Sequence, residues 1–165
     1  MIRTRLRTLV ATLLVSLGAG ACAQPPQDPE PIVSTATDEA AIREVALAND
    51  AVMMAEDLDG LLARYADDVV RMDAGRPVMR GLEAIREAYV TRFAAWNFDV
   101  TSHVLDVKVA GDLAVARTSW TSHGVPADGG PEYQITGKSV LTFQRQTDGS
   151  WKIVWEIWNR DVAAP

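Results

Sequence analysis

The chain has 165 residues, 48% of them hydrophobic and 23% charged, and a formal net charge of −6. That length suits one domain with a real core and is short for two. An acidic balance excludes the broad basic surface that phosphate-backbone binding needs, so no nucleic acid is expected as a partner.

The N-terminus reads as a targeting segment. Arg3, Arg5 and Arg7 form a positive region, Leu9 to Leu17 an apolar run of nine residues, and Gly18 to Ala21 a small-residue stretch. This is the pattern of a secretory signal peptide over residues 1–21, too short to span a bilayer. Without it the chain carries 13 basic and 22 acidic residues, a net charge of −9. The single cysteine, Cys22, follows in "AGAC", which is similar to a bacterial lipobox. The competing reading is "ACA", an ordinary cleavage site before Gln24. The expected product is exported and periplasmic, anchored to the membrane through a lipid on Cys22 and by nothing else. The domain itself holds no cysteine, hence no disulfide and no thiol chemistry. Residues 22–36 contain four prolines and few apolar side chains, as a tether does.

A folded domain is expected over 37–161. Thr37 or Asp38 can cap a first helix, whose apolar stripe runs through Ile42, Val45, Ala46, Val52 and Met53. Asn49 lies on that stripe, and a polar amide on an apolar face needs a partner. Asp57 can cap a short second helix with Leu58, Leu61, Leu62 and Tyr65. "VVRMD" then reads as a strand ending at Asp73, with Arg71 on the same face. "AGRPVMRG" is a loop, and a third helix from Gly81 carries Leu82, Ile85, Tyr89, Phe93 and Trp96 on one side. Beyond Asn97 the period changes to two. Strands are expected at 98–109, 113–123, 133–145 and 151–160, with turns at "AGD" and "TDGS". Helices followed by an antiparallel meander give an α+β fold, with the N-terminal helices packed on a curved, mostly antiparallel sheet.

The chemistry-bearing residues are few. His103 and His123 lack a third ligand or an H-x-H or H-E-x-x-H spacing, so no metal is expected. His123 adjoins the flexible "GVPADGGP" and stands as a proton-transfer candidate. No serine lies in G-x-S-x-G, and no glycine loop cradles phosphate; no cofactor is expected. On the last strand, simple alternation puts Trp151 and Trp155 on one face with Ile153 and Ile157, and Trp158 on the other.

"EDLDGLLARYADDVV", "RGLEAIREAY", "VAGDLAVA" and "DGSWKIVWEIWN" carry a resemblance over about residues 38–160. In these motifs the chain resembles the nuclear-transport-factor-2-like superfamily, particularly its SnoaL-like and ketosteroid-isomerase-like members. The resemblance implies a cone-shaped domain with an internal pocket and a homodimer formed through the sheet. In ketosteroid isomerases an Asp base works with a Tyr and a protonated Asp that hold an oxyanion. The base position falls on Asp73, while Asn49 and Ser139 replace the two oxyanion donors. Steroid isomerisation is therefore not expected.

Three functions follow as expectations. The first is a small, largely apolar pocket that binds a small-molecule ligand through Asn49, Met53, Tyr65, Arg71, Trp96, His123, Ser139 and Trp155. The second is an isomerase, dehydratase or hydrolase with Asp73 as general base. The third is an assembly module that dimerises and holds no ligand.

Overall fold

In the computed structural model, which describes residues 35–161, the first helix, α1 (Ala36–Met54), begins slightly before the expected cap. Thr35 caps it, its hydroxyl accepting from the Asp38 amide at 3.2 Å and donating to the Asp38 carboxylate at 2.6 Å. Thr35 and Ala36 thus belong to the domain and not to a tether. The expected signal peptide, Cys22 and the rest of the tether lie outside the described residues. Asp57 caps α2 (Leu58–Ala63) through the Gly60 amide at 2.9 Å, as its spacing suggests.

The sheet contains β1 (Tyr65–Asp73), β2 (Met79–Arg80), β3 (Trp96–Ala110), β4 (Leu113–Pro126), β5 (Tyr133–Arg145) and β6 (Trp151–Arg160), with α3 (Gly81–Ala95) between β2 and β3. Its strand order is β2-β1-β6-β5-β4-β3. Every neighbouring pair is antiparallel except β1 with β6. The meander from β3 to β6 matches the period-two pattern after Asn97. The parallel β1–β6 pair closes the chain's first strand onto its last.

The helices bury Ile42, Leu61 and Ile85 completely, against Val69, Val109, Phe143 and Ile153 of the sheet. Each such side chain contributes about 1.5–3 kcal/mol. Asp50 ties α1 to β3, accepting from the Ser102 amide and hydroxyl, both at 2.6 Å. One face of the sheet lies beneath helices and core. The other exposes Val115, Val140, Trp155 and Ile157.

Irregularities in pairing decide which side chains reach which face. On β6, Ile153 pairs with Phe143 and Trp155 with Thr142, so Val154 is an inserted residue. A bulge of this kind inverts the alternation beyond it. Trp151 and Ile153 are buried in the core, whereas Trp155 and Ile157 turn outward, 57% and 45% exposed. Simple alternation had placed all four together; the structure corrects this, and the strand face opposite Trp155 carries Glu156 and Trp158.

Candidate functional site

Between the helices and the sheet lies a cavity of about 1120 Å³. The exposed residues Gly75, Arg76, Asn159 and Arg160 mark where it opens. This volume lies just above the 300–1,000 Å³ typical of small-ligand sites.

Two rows of paired strand residues build its polar wall. The first joins Asp73 to Trp158, Trp158 to Ser139 and Ser139 to Thr118. The second joins Arg71 to Glu156 and Glu156 to Leu141. Directly paired residues bring their side chains to within reach of one another, which gives the contacts observed. Asp73 Oδ1 accepts from Arg71 Nε at 2.7 Å and from Trp158 Nε1 at 2.6 Å. Glu156 lies 3.8 Å from Arg71 Nη1 and accepts from the Tyr65 hydroxyl at 2.5 Å. Arg71 also donates to the hydroxyls of Tyr65 and Tyr89. Only 5% of the Arg71 side chain and 8% of the Asp73 side chain meet solvent.

Burial works against the Arg71 charge, but Glu156, Tyr89, Tyr65 and Asp73 outweigh it and hold the guanidinium well above its ordinary value. Burial, and then the negative charge of Glu156, pushes the Tyr65 phenol well above its own. Tyr65 therefore stays protonated and donates to Glu156. The pair of carboxylates around one guanidinium keeps one negative charge in excess.

Asp73 is clamped through one oxygen only. Its Oδ2 makes no hydrogen bond among the described residues and is open to the cavity. Ser139 Oγ accepts from Trp120 Nε1 at 3.0 Å, which leaves its own proton free to donate. Asn49 Oδ1 accepts from Arg64 Nη1 at 2.8 Å, which likewise leaves the amide NH₂ as a donor. Trp120 reaches Ser139 because its strand partner is Gly137. A Cβ at 137 would come within 2.1 Å of the Trp120 ring. Trp120 in turn meets Trp158 edge to face, their centroids 5.6 Å apart.

The structure thus brings Asn49, Met53, Arg71, Asp73, Trp96 and Ser139 to one cavity. Tyr65 stands behind its wall, buried, and reaches it through Glu156 and Arg71. Two candidates fall elsewhere. Trp155 faces outward for the reason given above. His123 is on the outer side of β4, 2.8 Å from Glu132, because the alternation there turns Ser122 inward. The cavity is also larger and more charged than expected. Arg64, Tyr89, Arg92, Trp120, Glu156 and Trp158 line it and were not among the ligand-binding residues expected from the sequence. For Tyr89 the signal was present, in the apolar stripe of α3; for Glu156 and Trp158 the bulge concealed it. Among the described residues no group of His, Cys, Asp and Glu is placed to hold a metal.

Residues 46–154 match the model of the SnoaL-like domain. The chain belongs to the SnoaL-like domain family. The SnoaL-like domain also has solved structural neighbours. One is a ketosteroid isomerase-like protein from Erwinia carotovora atroseptica, with a TM-score of 0.70 and 22% identity over 75% of this chain and 96% of that one. Another is a nuclear transport factor 2-like superfamily protein from Salmonella enterica, with a TM-score of 0.69 and 19% identity over 80% and 96%. A third is a hexachlorocyclohexane dehydrochlorinase from Novosphingobium barchaimii, with a TM-score of 0.68 and 17% identity over 78% and 90%. At these identities the likeness shows the fold, an α+β nuclear-transport-factor-2-like arrangement of helices on a six-stranded, mostly antiparallel sheet. No curated protein matches the sequence.

Proposed function

We propose that this SnoaL-like domain binds a small molecule in the cavity between its helices and its sheet. The cavity itself carries the reading. It is ligand-sized, has an opening, and presents unengaged polar atoms on Asp73, Asn49 and Ser139 against aromatic walls from Trp96, Trp120 and Trp158. A cavity kept only by accident of packing has no reason to aim three such groups inward. The test is native mass spectrometry of the full chain purified from its own host. A retained mass of a few hundred daltons, lost on denaturation and absent from a Ser139→Phe variant that fills the space, supports the reading. Protein of bare polypeptide mass that also binds nothing in a metabolite-extract screen overturns it.

One observation favours a catalytic version of the same site. Asp73 is held rigidly through Oδ1 while Oδ2 faces the cavity, the arrangement of a positioned general base. Asn49 and Ser139 then supply donors for the charge that develops on the substrate. The dehydrochlorinase and isomerase-like neighbours are consistent with proton-removing chemistry on this fold. Asp73→Asn separates the two readings. Retained ligand with turnover abolished indicates a base; retained ligand with no reaction in either protein indicates binding alone.

The domain's setting is proposed from the sequence. It is exported, anchored through Cys22, and held off the membrane by the proline-rich segment. It pairs as a homodimer through the outer sheet face, where Val115, Val140, Trp155 and Ile157 lie exposed on adjacent strands.

A further inference from the structure

The charge of the cavity wall opposes that of the whole chain. Arg64, Arg71, Arg76, Arg92, Lys138 and Arg160 line it, against two carboxylates, Asp73 and Glu156. Lys138 is engaged by Asp161 at 2.7 Å. Three positive charges remain in excess, in a chain whose net charge is −6. Clefts lined by one sign of charge concentrate ligands of the other. Arg64 adds to this field. It is only 8% exposed, and its partners are the neutral Val45 carbonyl, at 3.1 Å, and Asn49.

Arg76 and Arg160 lie at the opening near Asp73, whereas two unpartnered polar groups lie farther along the wall. Arg92, on α3, has a buried Nε without a hydrogen-bond partner, and among the described residues its guanidinium forms no ion pair. It lies over the Phe98 ring, 4.5 Å from the centroid. Ser122 is 4% exposed, and its buried Oγ also has no partner among the described residues. Ser122 pairs with Val100, two residues along β3 from Phe98. Both residues line the cavity. Buried donors of this kind are nearly always satisfied, so two of them in one wall point to a ligand group that satisfies them. Ser122 is four residues along β4 from Thr118, which marks the Asp73–Trp158 row. At ~3.3 Å per residue the two poles stand roughly 13 Å apart.

We propose that the ligand is an organic anion: an apolar body carrying one anionic oxygen group, received by Arg92 and Ser122. The inference rests on the binding function proposed above and adds the ligand's class and orientation. The Asp73 and Glu156 carboxylates disfavour an anionic oxygen in contact with them, so the neutral end lies at Asp73. The anion completes the hydrogen bonds of Arg92 Nε and Ser122 Oγ, and the aromatic side chains Trp96, Phe98 and Trp120 pack the body.

A matched pair of probes tests this on the full chain. 8-Anilinonaphthalene-1-sulfonate and N-phenyl-1-naphthylamine share a ring system and differ in the sulfonate. Fluorescence titration is expected to give tighter binding of the sulfonate by about 10- to 100-fold, the range for a hydrogen bond to a charged group. Arg92→Gln removes that preference and leaves binding of the neutral amine within about 2-fold. Ser122→Ala reduces the preference by a smaller factor and serves where Arg92→Gln does not fold, as judged by circular dichroism. Arg117→Gln, a charge change on the exposed outer face, leaves it intact. Binding of both probes with equal affinity overturns the anion proposal and leaves the cavity reading standing. An equal loss in Arg117→Gln and Arg92→Gln also overturns it, since net charge then accounts for the effect. Binding of neither probe overturns both.

Discussion

Replacing Arg71 by Met should be the most damaging single change to the cavity wall. Met keeps much of the aliphatic volume and removes the guanidinium. That guanidinium bonds Asp73 at 2.7 Å and Tyr65 at 3.3 Å, bonds Tyr89, and lies 3.8 Å from Glu156. The Arg71 side chain is 5% exposed, so solvent screens little of the loss. Two neighbouring carboxylates, 8% and 13% exposed, are left without a counter-charge. Removing one partner of a buried ion pair costs about 3–5 kcal/mol. For a domain of this size that lowers the melting temperature by roughly 10–20 °C. The assay is thermal unfolding by circular dichroism at neutral pH. A triple variant, Arg71→Met with Asp73→Asn and Glu156→Gln, should recover most of the loss, because it removes the stranded charges and keeps the cavity. An Arg71→Met protein within 1 kcal/mol of wild type, or a triple variant that recovers none of the loss, would refute the account of the wall as a charge network.

Tyr65 makes a prediction at the alkaline end. Its phenol is raised in the folded state, first by burial and then by Glu156, so its stabilising contribution is present below the unfolded value near 10 and is lost as pH rises toward the folded one. Above pH 10 the wild type should lose about 1.4 kcal/mol of stability per pH unit more than Tyr65→Phe does; parallel alkaline limbs in chemical denaturation would count against it. Ile157→Glu puts a charge in the exposed apolar row of the outer sheet face, and sedimentation should show monomers where the wild type shows dimers; a wild type that already sediments as a monomer disposes of the sheet-mediated pair. Cys22→Ala should move the protein from the detergent phase to the soluble fraction, whereas a soluble wild type starting at Gln24 would show ordinary cleavage.

Much of the fold was legible because its signals are local. Helix caps, glycine turns and the change from period 3.6 to period two are set by residues within a few positions of one another. The alternation of "VVRMD" put Asp73 and Arg71 on one face, and both line the cavity. Asn49 stood out because an amide on an apolar stripe demands a partner, and Arg64 provides it. The sequence did not contain, in any one stretch, the pairing between strands. A bulge is a property of two strands, since the extra residue exists only relative to a partner. Val154 turns Glu156 and Trp158 inward and sends Trp155 outward. The parallel pairing of β1 with β6 then sets Glu156 beside Arg71 and Trp158 beside Asp73, across more than 80 residues of chain. Arg92 over Phe98 likewise depends on how α3 meets β3. Local chemistry chose the residue types on each element; the register between distant strands decided which of them share a cavity.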